Sequence, residues 1–217
     1  MSQRLCHSSP VEFADTVRSR RMVRSYRPEP VADHVLERVL QYAVRAPSAG
    51  HSQGRDLVVL RTPERTAAFW AAAADPARQG PPDRWLAGMS GAPVLVLCLS
   101  DPGRYLDRYA EPDKGWTDRD ESRWPVPYWD IDTGMASLLM LLTAVDEGLA
   151  ACFFGVPPEH IASFRDAFGV PDGYTPIGCV SVGYAGTEDK RSPSLQRGRR
   201  GVEEVVHRGR WEGHLGG

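Results

Sequence analysis

From Gly134 to Gly148 the chain reads GMASLLMLLTAVDEG, apolar on nearly every side instead of along one stripe. A helix of that kind has to be covered on more than one face, so it belongs at the centre of its fold, and one chain need not supply the whole cover. The helix is expected to start at Asp132 or Thr133 and to end near Gly148. Its longest apolar run, Ser137 to Val145, falls well short of the roughly 20 residues that span a bilayer. The opening MSQRLCHSSP has no apolar signal core, so a cytoplasmic chain with no membrane partner is expected.

The flanking segments alternate between helix and strand patterns. Ser9, Pro10 and Glu12 form a capping-box signature for a first helix. Asp33 precedes Val35, Leu36, Val39, Leu40, Ala43 and Val44, an amphipathic spacing that Pro47 ends. Leu57 to Leu60 and Pro93 to Leu99 read as buried strands, with a helix from Thr62 through Trp70 between them. After the central helix come a strand at Ala150 to Phe154, a helix from Pro157 to about Phe168 closed by Gly169, and a strand at Pro176 to Gly183. Residues 101–128, rich in Asp, Arg, Pro, Trp and Tyr, read as a long irregular insertion, and the last thirty as a polar, Arg-rich tail. With 217 residues, no repeat and no sharp break in composition, a single α+β or α/β layered domain over residues 1–217 is expected, with the insertion as a lid and residues 186–217 as a C-terminal arm.

A formal charge of -2 gives no net field for a polyanion, so no nucleic-acid partner is expected. Cys6, Cys98, Cys152 and Cys179 are scattered with no CxxC pair, and three lie in apolar stretches. They read as reduced core thiols. The six histidines show no ligand spacing, so no metal is expected. GxGxxG, GxxxxGK[ST], HExxH and GxSxG are all absent.

Three features remain. Arg18, Arg20, Arg21, Arg24 and Arg27 crowd a short loop before two prolines; several guanidinium forks together suit a phosphate monoester, although taken alone such a run reads more readily as a solvated basic face. APSAGHSQ, Ala46 to Gln53, offers small residues and donors after a helix, or simply a helix exit. CFFGVPPEH, Cys152 to His160, runs from strand to helix, and its Phe154 and Gly155 amides suit a flat heteroaromatic edge, or a plain turn.

Taken in order, RSRRMVRSYRPEPV, RAPSAGHSQ, LVVL, PVLVLCL, the helix after YWDIDTG, CFFGVPP and RRGVEEVVH resemble the FMN-dependent nitroreductase family over almost the whole chain. The resemblance implies an α+β fold, a mostly antiparallel central sheet wrapped by helices, in an interlocked homodimer with two FMN sites at its interface. It implies that Arg20, Arg21, Met22 and Arg24 hold the FMN phosphate and the pyrimidine side of the ring, with Arg199 and Arg200 closing the site from the tail. Pro47, Ser48, Ala49, His51 and Gln53 would cover the flavin, and Phe154 and Gly155 would meet its N5. Chemistry would belong to FMN, with no catalytic side chain: hydride from NAD(P)H in, hydride out to a nitroaromatic, quinone or similar planar acceptor, in a ping-pong cycle.

Trp124, Tyr128 and Trp129, with Trp116, would offer the acceptor aromatic faces, or would pack beneath a loop. The chain departs from the family pattern at Met22 for Ser, His51 for Asn, and Gly54-Arg55 for Pro-aromatic. The same resemblance leaves two alternatives open. One is a flavin-dependent oxidase, dehydrogenase or flavin-cleaving dimethylbenzimidazole-synthase-like enzyme; the other is a non-catalytic flavin-binding protein.

Overall fold

The structure, a computed structural model, describes residues 12–74, 80–189 and 192–211. Its elements are α1 (Phe13–Ser19), β1 (Tyr26–Arg27), α2 (Asp33–Ala43), β2 (Arg55–Leu60), α3 (Pro63–Ala72), α4 (Arg84–Met89), β3 (Val94–Ser100), α5 (Pro102–Ala110), α6 (Tyr128–Asp146), β4 (Ala150–Phe154), α7 (Ile161–Phe168), β5 (Thr175–Ala185) and α8 (Val202–Val205). The sheet runs β1-β5-β3-β2, and β4 also pairs with β5. Every pairing of named strands is antiparallel. Strand-helix alternation by itself fits α/β as well as α+β; the antiparallel sheet is the α+β arrangement that the resemblance implies.

The β3 sequence VLVLCLS is buried throughout because both faces of its sheet are covered. Val94, Val96 and Cys98 face one core with α2 and α6 residues Leu36, Val39, Met140 and Ala144. Leu95, Leu97 and Leu99 face the other, with Phe69 of α3, Met89 of α4 and Phe164 of α7. Each fully buried leucine contributes about 1.5–3 kcal/mol relative to leaving it in water.

Several boundaries differ from the expected ones. Glu12 is extended (φ -60°, ψ 135°), so α1 opens at Phe13; the expected opening at Ser9 lies outside the described residues, as does Cys6. The start of the 101–128 insertion is not irregular but the helix α5, because Asp101 accepts the Arg104 N–H and Pro102 fits the first helical position. Residues 80–90 hold α4, capped by Asp83 on the Leu86 N–H, where weak periodicity gave no expectation of a helix.

The central helix starts earlier than expected, at Tyr128, and packs one face on the sheet through Thr133, Ala136, Ser137, Met140 and Ala144. Its other face leaves Ile131, Met135 and Leu138 exposed at 40%, 39% and 48%. The tail is not uniformly polar: Leu195, Val202, Val205 and Trp211 stand exposed along it. Among the described residues no helix is long and apolar enough to cross a membrane.

Candidate functional site

The arginine loop is laid along the start of β4. The Arg20 N–H closes α1 on the Thr16 carbonyl, and the chain then extends so that Met22 bridges Ala151 and the Val23 N–H donates to the Ala151 carbonyl at 3.1 Å. Arg24 Nη1 folds back on the Met22 carbonyl at 3.1 Å. Behind the loop the Tyr26 hydroxyl donates to the Val23 carbonyl and lies 2.8 Å from Ser181 Oγ; burial raises this phenol far above its usual range, so it stays neutral. Gly88 lets α4 close over the loop, since a Cβ there would lie 2.2 Å from the Arg24 carbonyl oxygen.

The arginines differ in what they meet. Arg20 Nη1 is buried without a hydrogen-bond partner among the described residues. Arg21, half exposed, approaches Asp189 Oδ2 at 3.6 Å, and the other Asp189 oxygen accepts the Arg24 backbone N–H at 2.9 Å. A groove of about 740 Å³ runs past Arg24, Arg84, Trp85, Gly88 and Asp189, with Arg84 held on the Glu188 carbonyl at 2.9 Å. Arg84 and Asp189 were not anticipated from the sequence. Asp189 lies in a tail that composition marks only as basic, and Arg84 in a helix with no clear period.

Trp85 also borders an apolar cavity of about 150 Å³ at the open end of β4, lined by Phe69, Trp70, Phe154 and Gly155. Trp70 stacks on Phe154, ring centroids 5.8 Å apart and 9° from parallel, with Trp85 edge-on at 5.7 Å. Trp85 thus borders both the groove past Arg24 and the cavity at the Phe154–Gly155 turn.

The segment from Pro47 to Gln53 sits elsewhere, between α2, α5 and α6. Buried Asp132 accepts the Ala49 N–H at 3.2 Å, Ser48 Oγ accepts the Gln53 N–H at 3.0 Å, and Arg108 Nε donates to the Gly50 carbonyl at 2.9 Å. Gly50, His51 and Gln53 all take positive φ, at 60°, 57° and 54°. At Gly50 a side chain would also strike the Tyr109 ring, 2.9 Å from the Cβ position. Arg55, where the resemblance expects an aromatic residue, donates to the Val44 and Ala46 carbonyls at 2.6 and 2.9 Å and so closes the end of α2. Burial pushes the Asp132 carboxyl up, against the pull of the Ala49 N–H and Arg55.

Trp124, Tyr128 and Trp129 form one aromatic cluster, not separate faces turned to solvent. Trp124 lies edge-on to Tyr105, Tyr109, Trp116 and Tyr128, with centroids 4.5–5.6 Å away, and to Trp129 at 6.2 Å. Through Tyr109 the cluster abuts Gly50. Arg199 and Arg200 are exposed on the arm, and Arg200 donates to the Glu204 carbonyl. Cys98, Cys152 and Cys179 are free and buried, and burial raises the Cys98 thiol to about 11. None of the three is an activated nucleophile. Among the described residues no cluster of His, Cys, Asp or Glu suits a metal.

A helix-flanked antiparallel sheet with an arginine loop against β4 defines a class, and the comparisons identify it. The chain belongs to the nitroreductase family, whose model matches residues 17–184. It is 25% identical over 202 residues, 92% of this chain and 99% of the other, to an Archaeoglobus fulgidus protein with the provisional name NADH dehydrogenase/NAD(P)H nitroreductase. An NADH dehydrogenase of Thermus thermophilus is 27% identical over 194 residues, covering 81% of this chain and 88% of that one. Among solved structures, a nitroreductase family protein of Clostridium difficile superposes with a TM-score of 0.68 at 22% identity, covering 93% of this chain and all of the other. B. megaterium NfrA2 gives 0.70 at 18% identity, over 94% of this chain and 77% of that one.

Proposed function

We propose that this chain is an FMN-dependent oxidoreductase that takes electrons from NAD(P)H and passes them to a nitroaromatic, quinone or similar planar acceptor. The observation that carries the reading is the pairing of the arginine loop with β4 through Met22 and Ala151, beside a groove of about 740 Å³ lined by Arg24 and Arg84. The donor set fits FMN: the buried Arg20 Nη1 has no hydrogen-bond partner among the described residues, and guanidinium forks match a phosphate monoester with charge-assisted hydrogen bonds. The names of the relatives, NADH dehydrogenase and NAD(P)H nitroreductase, support an oxidoreductase with a nicotinamide substrate.

In this reading Arg20, Arg21 and Arg24 hold the phosphate, and Phe154 and Gly155 meet the ring. FMN itself supplies the chemistry, accepting and then releasing a hydride equivalent. The chain's part is to bind and orient the ring, place cationic groups at its pyrimidine edge and keep one ring face open. The stripe Ile131, Met135 and Leu138 and the apolar residues of the arm support a homodimer. A second copy would bring its Pro47, Ser48, Ala49, His51 and Gln53, with the Trp124, Tyr128 and Trp129 cluster attached, over the flavin, and its Arg199 and Arg200 toward the phosphate.

The test is the protein's own colour. Purified protein is expected to be yellow, with a flavin spectrum that NADH or NADPH bleaches without oxygen and that survives many aerobic turnovers. A colourless protein that ignores added FMN overturns the reading; bound FMN that no reductant bleaches leaves only a flavin binder; loss of the flavin during turnover points to the flavin-cleaving alternative.

A further inference from the structure

We infer that Asp189 is a specificity-determining residue of the arginine loop, an internal carboxylate that competes with the ligand's phosphate and so limits how tightly the loop holds anions; the inference rests on the FMN reading above. Asp189 lies four residues past the end of β5, in the stretch that leads into the arm. Its side chain is only 8% exposed, and it spends both oxygens on the loop: one on the Arg24 backbone N–H at 2.9 Å, the other 3.6 Å from the Arg21 guanidinium. Those are the bonds a phosphate oxygen would make there. The same carboxylate borders the groove that holds Arg24 and Arg84.

Two consequences follow from the charges. Asp189 offsets part of the charge of Arg21, 3.6 Å away, so less of the loop's cationic surplus reaches a ligand. A phosphate dianion entering the groove also meets a fixed negative charge in a partly desolvated place, where like charges repel more strongly than in water. The uncharged isoalloxazine and ribityl chain feel neither effect. Asp189 therefore weakens ligands in proportion to their anionic charge and leaves neutral flavins alone. Holding the empty loop in shape before the ligand arrives is the counterpart of that cost.

The experiment titrates flavin-free protein with FMN and with riboflavin, which lacks the phosphate, following quenching of flavin fluorescence. Asp189→Asn keeps an oxygen that can accept the Arg24 N–H, and Asp189→Ser is a second neutral variant should the first fold poorly. Either variant is expected to tighten FMN about fivefold or more, as loss of a nearby like charge should, and to leave riboflavin within about twofold, with no charge to act on. Added inorganic phosphate is expected to displace FMN less readily from wild type than from the variants. Unchanged FMN affinity, or weaker binding of FMN with or without riboflavin, overturns the inference and makes Asp189 a structural anchor of Arg24. Wild-type protein that binds riboflavin and FMN equally, or neither, fails the FMN reading instead.

Discussion

The backbone N–H of Phe153 donates to the thioether of Met22, 3.5 Å away. The sulfur thus occupies the junction of the arginine loop and β4, where the family resemblance expects a serine hydroxyl. Met22 also packs against both cores of the sheet. Met22→Ala removes that contact and leaves a gap at the junction. It should lower the unfolding free energy by about 1–2 kcal/mol, below the range for fully buried methionines because Met22 is only partly covered. Urea denaturation followed by far-UV circular dichroism measures it, and a variant as stable as wild type would show the sulfur to be incidental.

Arg20 and Arg24 are the cations assigned to the phosphate. Arg20→Ala and Arg24→Ala should each weaken FMN by about 1.5–3 kcal/mol, the cost of losing a hydrogen bond to a charged group. Equilibrium titration of the flavin-free protein checks this. Full FMN retention in both would remove the phosphate assignment.

Asp132 gives a pH dependence opposite to that of an ordinary surface carboxylate. Burial raises its folded pKa above the unfolded value of about 3.9, so its contribution is fully present below that value and is lost as pH rises through the folded one. Asp132→Asn has no charge to bury and can still accept the Ala49 N–H. The stability of the variant relative to wild type should therefore rise as pH increases above about 4, the unfolded value. Denaturation midpoints across that range test it; a relative stability that falls with pH would mean that Arg55 and Ala49 outweigh burial.

Gly50 combines φ 60° with a Tyr109 ring 2.9 Å from where a Cβ would lie. Gly50→Ala should cost about 1–3 kcal/mol, the range for strained left-handed backbone, with the ring clash at the upper end. Thermal unfolding reads the loss, and a shift of less than about 1 °C would contradict it at this chain length.

Leu138 lies on the outward stripe of α6, 48% exposed in the single chain. If a second copy covers that stripe, Leu138→Asp should convert a dimer to a monomer and release flavin with it, because a charge cannot enter an apolar interface unpaired. Light scattering after size exclusion decides; wild-type protein that already runs as a monomer ends the dimer reading.

Wherever periodicity was strong, sequence patterns located the elements well. The α2 spacing, the doubly buried β3 and the Gly169 stop were all legible because each follows from one local rule. α4 and α5 were not: their short lengths average out periodicity, although Asp83 and Asp101-Pro102 carry start signals that could have been read. For the candidate site, the arginine loop and the Phe154–Gly155 turn stood out in the sequence, but the loop's place beside β4, the strand that leads to that turn, depends on the Met22–Ala151 bridge, a long-range pairing. Asp189 escaped notice for a similar reason. An acidic residue among arginines looks like solvated surface until the sheet folds it onto the Arg24 amide. Likewise, composition cannot distinguish a Trp124 that faces an acceptor from one enclosed by Tyr105, Tyr109 and Trp116.

Arg108 reaches out of α5 to the Gly50 carbonyl while also gripping Asp113, and its neighbour Tyr109 presses on the same glycine. The aromatic insertion and the strained turn are therefore tied to each other through α5. A chimera that exchanges only the tryptophan-bearing stretch for another sequence would leave the turn without its clamp, so any graft has to start before α5 and carry Arg108 and Tyr109 along.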